Sequence, residues 1–475
     1  MIVMKFGGTS VGDAAAIHQV AEIVASKIER APVVVVSAMT RVTDTLLRIA
    51  RIATERRYEE AAAVINELHQ RHVATVRELL ANTDAVASEG YALDWAERSY
   101  YSLDWAERSI EYQFTELSGL ARSVATLGEL TPRSQDAIVS FGERLSSVIV
   151  TAAFRAHGIL AELVDSRQFI LTDNQFTRAA PDMQETHRRV REMLPSVIQS
   201  GCVPVAQGFI GSTVDGVTTT IGRGGSDYSA AIIGAALGAE TIEIWTDVDG
   251  LMTADPRVIA TARRIRVISF AEASELSYFG AKVLHPSTVL PAVEQGIPVH
   301  IYNTRNPSCE GTLIVAEARP SRNLIKSIAF KRGVTIINVA STRMLLAHGF
   351  LRAIFAVFER HETSIDVVTT SEVSVSMTLD HTDSLDAITR DLAPIGDVSI
   401  EREKAIVCVV GDNLKFTPGV AARLFRAIEN TNVNMISQGA SEINLTFVID
   451  ERDVEPVARA LHDEFFKEAD PDMFA

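Results

Sequence analysis

Residues Gly349 to Asp380 align without gaps onto Gly419 to Asp450 at a constant offset of 70, since 419 − 349 = 70. Six of the 32 paired positions are identical: Gly349/Gly419, Phe355/Phe425, Glu359/Glu429, Ser371/Ser441, Glu372/Glu442 and Asp380/Asp450. Apolar character is shared at Ile354/Leu424, Val373/Ile443, Val375/Leu445 and Leu379/Ile449. A pattern written twice is built twice. Each copy reads as a helix, a turn and an alternating strand that ends in Asp, which is half of a split βαβ sandwich. The C-terminal third of the chain is therefore expected to hold two similar small α/β modules.

The residues before about 310 follow a different rule. Short β-branched runs, Ile2 to Met4, Val33 to Val36, Val203 to Ala206, Thr241 to Trp245 and Val299 to Tyr302, alternate with helical stretches such as Ala14 to Lys27 and Tyr228 to Leu237. Continuous apolar strands alternating with helices imply an α/β layer structure with a largely parallel sheet. The polar, Pro-containing segment Glu317 to Asn323 reads as the hinge between the two regions. Residues from 50 to 130 are mostly helix-forming and contain a tandem duplication, YALDWAERSY at 91–100 followed by YSLDWAERSI at 101–110. Ten residues turn a helix by about 1000°, so Trp95 and Trp105 fall roughly 80° apart around the axis. Asp94 with Arg98 and Asp104 with Arg108 are favourably ordered i,i+4 pairs, which suits a partly exposed helix.

A chain of 475 residues exceeds one hydrophobic core. Its net charge of −16 argues against nucleic-acid or anionic-membrane partners, so an anionic substrate must be met by a few placed basic groups. No uninterrupted apolar stretch is expected to span a bilayer, and the N-terminus lacks a signal-peptide pattern. Cys202, Cys309 and Cys408 have no paired spacing and read as buried thiols in a reducing cytoplasm.

Several loops carry chemistry. Lys5-Phe6-Gly7-Gly8-Thr9-Ser10 sits where the first strand ends; it is either a phosphate cradle with a lysine point charge or a plain turn. Gly222-Arg223-Gly224-Gly225-Ser226-Asp227 precedes a helix, with Ser226 or Asp227 as N-cap and Gly238 as C-cap; it is either an anion site with an arginine beside it, which the glycine density favours, or a mere tight turn. Thr246-Asp247-Val248-Asp249-Gly250 follows the strand ending at Trp245. Phe141-Gly142-Glu143-Arg144 opens a helix whose Glu143 either binds a substrate ammonium or is solvated. Lys282, in Phe279-Gly280-Ala281-Lys282-Val283-Leu284-His285-Pro286, either snorkels or meets phosphate. Lys5, Ser37, Gln207 and Asp247 all fall at or just beyond strand carboxyl ends, where open α/β sheets bind ligands.

KFGGTSV, FGERLS, GRGGSDYSA, TDVDG with DPR, and FGAKVLHP occur together in this order. In that order they resemble the aspartate kinases over nearly the whole chain. The resemblance implies an amino-acid-kinase (carbamate-kinase-like) three-layer α/β/α catalytic domain over 1–316. It implies a regulatory region over 317–475 with two ferredoxin-like βαββαβ ACT domains, about 325–400 and 401–475, in series or interleaved. The implied reaction moves the γ-phosphoryl of ATP to the β-carboxylate of L-aspartate. Neighbouring readings are another kinase of the same fold and a non-catalytic amino-acid sensor. The chain ends 25 residues after Asp450, so no appended dehydrogenase is expected.

By the same resemblance, Lys5, Asp227 and Lys282 are catalytic, and Thr43, Glu143, Arg223 and Ser226 bind aspartate. Lys5, Phe6, Gly7, Gly8, Thr246, Asp247, Met252, Arg257, Lys282 and Val283 line the ATP site. Magnesium arrives with ATP rather than in an all-protein cage. The effector, lysine first and threonine as the alternative, is expected at Met344, Ala347, Gly349, Phe350, Leu351, Ser364, Ile365, Asp366, Thr370, Ser371 and Glu372. A cytoplasmic homodimer or homotetramer is implied. Three positions depart from the family pattern: Thr40-Arg41 replaces a Gly-Gly pair, Met252 a tyrosine, and Ala347 a serine.

Overall fold

The computed structural model describes residues 1–81, 92–279, 286–318, 321–344 and 348–475. They form two compact units: Met1–Gly250 with Leu284–Ala316, and Leu251–Val283 with Glu317–Ala475. The stretch after Gly250 thus clusters with the later residues, although its motifs group it with the earlier ones.

In the first unit the chain runs through β1 (Ile2–Phe6), α1 (Ala14–Ala25), β2 (Pro32–Val36), α2 (Val42–Thr54), α3 (Tyr58–Ala81), α4 (Ala92–Leu127), α5 (Pro132–Val139), α6 (Phe141–Ala156), β3 (Ala161–Val164), α7 (Met183–Gln199) and β4 (Val203–Gln207). A small hairpin, β5 (Ile210–Ser212) with β6 (Thr218–Thr220), leads to α8 (Gly225–Leu237) and β7 (Thr241–Thr246). After β8 (Val267–Ser269) and α9 (Phe270–Tyr278), which belong to the second unit, α10 (Leu290–Glu294), β9 (Val299–Asn303) and β10 (Thr312–Val315) complete the first. Its strands lie in the order β3-β4-β2-β1-β7-β9-β10. All neighbours are parallel except β9 and β10.

Both faces of this sheet are covered. Ile2, Met4 and Phe6 face a core shared with α1, α2, α3, α4 and α6. On the other face α8 packs against β1 and β7, and Gly234 lets it come close, since a Cβ there would lie 2.7 Å from Ile242. The segment Pro132–Ala156, α5 and α6 together, is long and apolar enough by length and composition to cross a membrane, but Arg133, Asp136, Glu143, Arg144 and Arg155 interrupt it, so it is not an uninterrupted apolar stretch. With 89% of its window buried, it is a core helix.

The second unit continues as β11 (Ile325–Ala340), α11 (Phe350–Arg360), β12 (Val368–Thr370), β13 (Ser374–Leu379), α12 (Leu385–Leu392), β14 (Asp397–Gly411), α13 (Val420–Ala427), β15 (Met435–Gln438), β16 (Asn444–Asp450) and α14 (Val454–Phe465). One antiparallel sheet runs β12-β13-β11-β14-β16-β15. The two central strands bend together, at Gly333 (φ 75°) and Glu403 (φ 55°). Beyond the bend, Val334–Ala340 pairs with 397–404; before it, Ile325–Lys331 pairs with 406–411. Each half is a βαββαβ module. The first runs in chain order, whereas the second takes its last strand from Ile325–Lys331, ahead of the first module.

The repeat therefore extends further upstream. Val334–Ala340 falls on Lys404–Val410 at the same offset, with Ile336/Ile406 and Val339/Val409 identical. Gly349 and Gly419 are the N-caps of α11 and α13 at φ 82° and 83°, so their identity is a backbone requirement. Each repeat's turn also contains a short strand, β12 or β15, that the sequence reading missed. Asn323, expected in a hinge, is buried; it donates to the carbonyls of Phe465 and Glu468 and accepts from Asp470 N–H. Cys408 is buried, but Cys202 and Cys309 are only partly so, which corrects the reading of three buried thiols.

Candidate active site

Strand alternation places Val3 and Lys5 on the face of β1 that α8 covers. A Cβ on Gly234 would lie 3.7 Å from Val3, and two turns earlier on the helix Asp227 meets Lys5. Lys5 Nζ lies 2.6 Å from Asp227 Oδ1, with both side chains nearly buried. Of the two glycines that follow, Gly8 is the one with no room for a side chain. Gly7 N–H donates to Trp245 O at 3.0 Å, and a Cβ on Gly8 would lie 2.8 Å from Ala38 O. Phe6 is fully buried and stacks on Trp245, so only its backbone is available to a ligand.

Glu143 is buried in the first turn of α6, not solvated. Its Oε1 accepts the Ala38 N–H at 3.1 Å, and its Oε2 has no hydrogen-bond partner among the described residues. Burial pushes its carboxyl up to about 8, against the opposing pull of the Ala38 N–H and the Lys5 charge. Gly142 makes this placement possible, since a Cβ there would lie 2.7 Å from Ala38 Cβ.

The loop after β2 meets the Gly7-Gly8 turn. Thr40 Oγ1 donates to Gly8 O at 2.8 Å, and Arg41 adopts φ 66°, the left-handed conformation that glycine favours. The Thr40-Arg41 departure thus keeps a glycine-like backbone, with Thr43 half-buried in the first turn of α2. Arg71 of α3 clamps both loops, donating to Thr40 O at 3.0 Å and Gly12 O at 3.1 Å. Sequence reasoning missed Arg71, because a mid-helix arginine looks solvated.

The 222–227 turn needs its glycines at Gly222 (φ 80°) and Gly224 (φ 72°). Gly224, not Ser226 or Asp227, is the N-cap of α8; no side chain caps the helix. In the first turn, Gly225 N–H donates to Gly222 O and Asp227 N–H to Gly224 O, each at 3.0 Å. Ser226 lies against Gly208, where a Cβ would sit 2.5 Å away. Arg223 is exposed and makes no ion pair among the described residues. Thr246 and Asp247 close β7, joined by a 3.3 Å hydroxyl–carboxylate contact.

Met252 and Arg257 belong to the second unit. Met252 O accepts the Ser327 hydroxyl, and Arg257 is exposed and paired bidentately with Asp255. Lys282, Val283 and Ala347 lie outside the described residues.

The sequence model of the amino acid kinase family matches residues 1–303, and that of the ACT domain matches 407–465. Lysine-sensitive aspartokinase 3 of Escherichia coli (strain K12) is 35% identical over 476 residues, covering 98% of this chain and 99% of that protein. This chain belongs to the aspartokinase family. Aspartokinase 1, chloroplastic, of Arabidopsis thaliana is 36% identical, covering 98% of this chain and 80% of that protein. The structure of E. coli aspartokinase III with aspartate and ADP (R-state) matches with a TM-score of 0.81 and 34% identity, covering 98% of this chain and 100% of that one. That of the same enzyme with lysine and aspartate (T-state) matches equally, at 0.81 and 35% identity. The activity of this aspartokinase is phosphoryl transfer from ATP to the side-chain carboxylate of aspartate, under allosteric control by its ACT region.

Within that region the expected effector residues lie on the first module. Met344, Phe350 and Ile365 pack against the core of Ile354, Phe358 and Val375. Gly349 and Leu351 are exposed at the start of α11, and Ser364 is exposed as well. Thr370, Ser371 and Glu372 form an exposed turn, with the Ser371 and Ser374 hydroxyls 2.7 Å apart. Asp366 is different: its side chain is 4% exposed.

Proposed function

We propose that Lys5, Gly7 and Gly8 receive the transferred phosphoryl group, that Arg223 pairs with the α-carboxylate of aspartate, and that Glu143 pairs with its α-ammonium. The observation that supports this reading is the Lys5–Asp227 ion pair at the end of β1, with the buried Glu143 within reach of the Lys5 charge. In the reaction a β-carboxylate oxygen attacks the γ-phosphorus, and the bond to the bridging oxygen breaks, releasing ADP. Little covalent chemistry falls to the protein; alignment and neutralisation of the spreading negative charge carry the rate. Lys5 supplies the charge. Asp227 keeps the lysine aimed at the end of the strand, and Thr43 and Ser226 add hydrogen bonds to the substrate.

Thr246 and Asp247 line the nucleotide side in this reading. Met252, Arg257, Lys282 and Val283 join them through the resemblance of their motifs. Magnesium enters as the counter-ion of ATP, part of the substrate; among the described residues no three His, Cys, Asp or Glu side chains are grouped to hold a metal. The effector is an amino acid bound at Gly349–Leu351 and Ser364–Glu372. The Asp366 carboxylate favours lysine, with its second ammonium, over threonine. The enzyme is placed in the cytoplasm as a homodimer or homotetramer, with 1–316 catalytic and 317–475 regulatory.

Aspartate-dependent ATP turnover, trapped as the hydroxamate, tests the reaction, and its absence from the purified protein would refute it. Arg223→Ala should raise the KM for aspartate at least tenfold while leaving that for ATP within about twofold, as loss of a charged hydrogen-bond partner predicts. The reverse pattern overturns the substrate assignment.

A further inference from the structure

Helix α9 carries Glu272, Glu275 and Tyr278 at i, i+3 and i+6, on one face. Each meets a different part of the regulatory sheet. Glu272 pairs with Lys326 of β11 at 2.7 Å, and Glu275 accepts from Asn444 of β16 at 2.6 Å. Both of those partners sit on strands of the second module. Tyr278, in the last turn, reaches the first module instead: its hydroxyl donates to Asp366 Oδ1 at 2.5 Å.

Asp366 is enclosed. Its Oδ1 holds Tyr278; its Oδ2 is buried and lies 3.6 Å from Lys331 Nζ, with the Asp380 carboxyl beside the same group. Lys331 is ion-paired with Asp380 and sits 5.2 Å over the Tyr278 ring. An incoming ammonium group cannot reach this carboxylate without moving Lys331 or Tyr278, since the third neighbour, the Asp380 carboxyl, would itself attract an ammonium. Lys331 is held by a carboxylate of its own, whereas among the described residues the Tyr278 hydroxyl bonds to Asp366 alone. Tyr278 is the one that yields.

We propose that Tyr278 is the residue through which α9 senses the effector: its hydroxyl holds Asp366 in the effector-free arrangement, and an amino acid whose ammonium takes that carboxylate releases the last turn of α9. The proposal rests on the reading of Ser364–Glu372 as the effector segment. It also fixes a sign. A ligand that binds only the arrangement without the bond is helped by anything that removes the bond beforehand.

Tyr278→Phe keeps the ring and deletes the hydroxyl. The full-length variant and wild type are titrated with L-lysine, and in parallel with L-threonine, by calorimetry and in the aspartate kinase assay. The variant should bind lysine about tenfold more tightly and be half-inhibited at a correspondingly lower concentration, the size expected for one hydrogen bond to a charged group. Amide exchange across Phe270–Tyr278 in the unliganded variant should match that of lysine-saturated wild type. Unchanged affinity in the variant, with wild-type α9 exchange indifferent to lysine, overturns the proposal. Weaker binding with faster exchange throughout β11 and β14 would mark a merely structural role and overturn it equally. If wild type binds neither amino acid, the effector reading itself has failed and this one falls with it, whereas binding by wild type with an identical variant removes Tyr278 alone.

Discussion

In the proposed reading, Glu143 holds a substrate cation with a carboxyl group that burial keeps protonated at neutral pH. With its carboxyl pushed up to about 8, proton and aspartate ammonium compete for the same oxygens. The apparent KM for aspartate should therefore fall as pH rises, about eightfold between pH 7 and 8.5 if the group titrates alone. Glu143→Gln should flatten that dependence while weakening aspartate binding throughout, and a wild-type KM independent of pH would refute the assignment. Stability moves the other way. A carboxyl whose folded value lies above its unfolded one favours folding at low pH, so wild type should lose stability between about pH 4.5 and 8, and Glu143→Gln should not. None of this was visible in FGERLS, because a first-turn glutamate has the same sequence signature whether buried or solvated. Lys5 and Arg223 were easier to read, each sitting in a glycine-rich turn, Gly8 being required for close approach and Gly222 and Gly224 for positive φ. Arg41 shows the opposite case: a residue that looks wrong for its loop adopts the backbone its loop requires.

Elements were readable where burial was symmetrical. The parallel strands β1, β2, β4 and β7 lie buried on both faces and appear as apolar runs; they were expected, as was β9, whose burial alternates, whereas β3, with Glu162 exposed, was not. β12 and β15, three and four residues with exposed positions, carry no such signal. The role of α9 was equally hidden, since its polar face reads as solvent-facing. In fact Glu272 closes a capping box with Ser269 and is ion-paired with Lys326, both side chains under 5% exposed. Truncating one partner strands the other charge in the interior. Lys326→Met should cost about 3–5 kcal/mol in urea unfolding, while the added change Glu272→Gln should recover part of that loss by removing the uncompensated charge. An additive double variant would mean that the pair is not coupled.

At the scale of the whole molecule, the offset of 70 revealed two modules but not how the chain is threaded through them. A repeat reports resemblance between segments, and it cannot report that the second copy borrows a strand from ahead of the first. The fourth strand of the first module, beginning at Asp397, would by the same offset recur from residue 467. There the chain instead turns back, with Phe474 bridging Ile265, and Ile325–Lys331 fills the position beside β14. The first module is thus inserted within the second, and the second cannot close until the first has brought β11 and β14 together. Two fragments separate this threading from modules in series. Residues 325–475 contain every strand of both modules and should unfold cooperatively in urea. Residues 405–475 lack Ile325–Lys331 and would leave one edge of β14 without its partner, exposing the buried face of Ala405–Val410. That fragment should show no cooperative transition alone. A sharp transition in 405–475 would mean that the borrowed strand is dispensable, and that the two modules fold as independent neighbours.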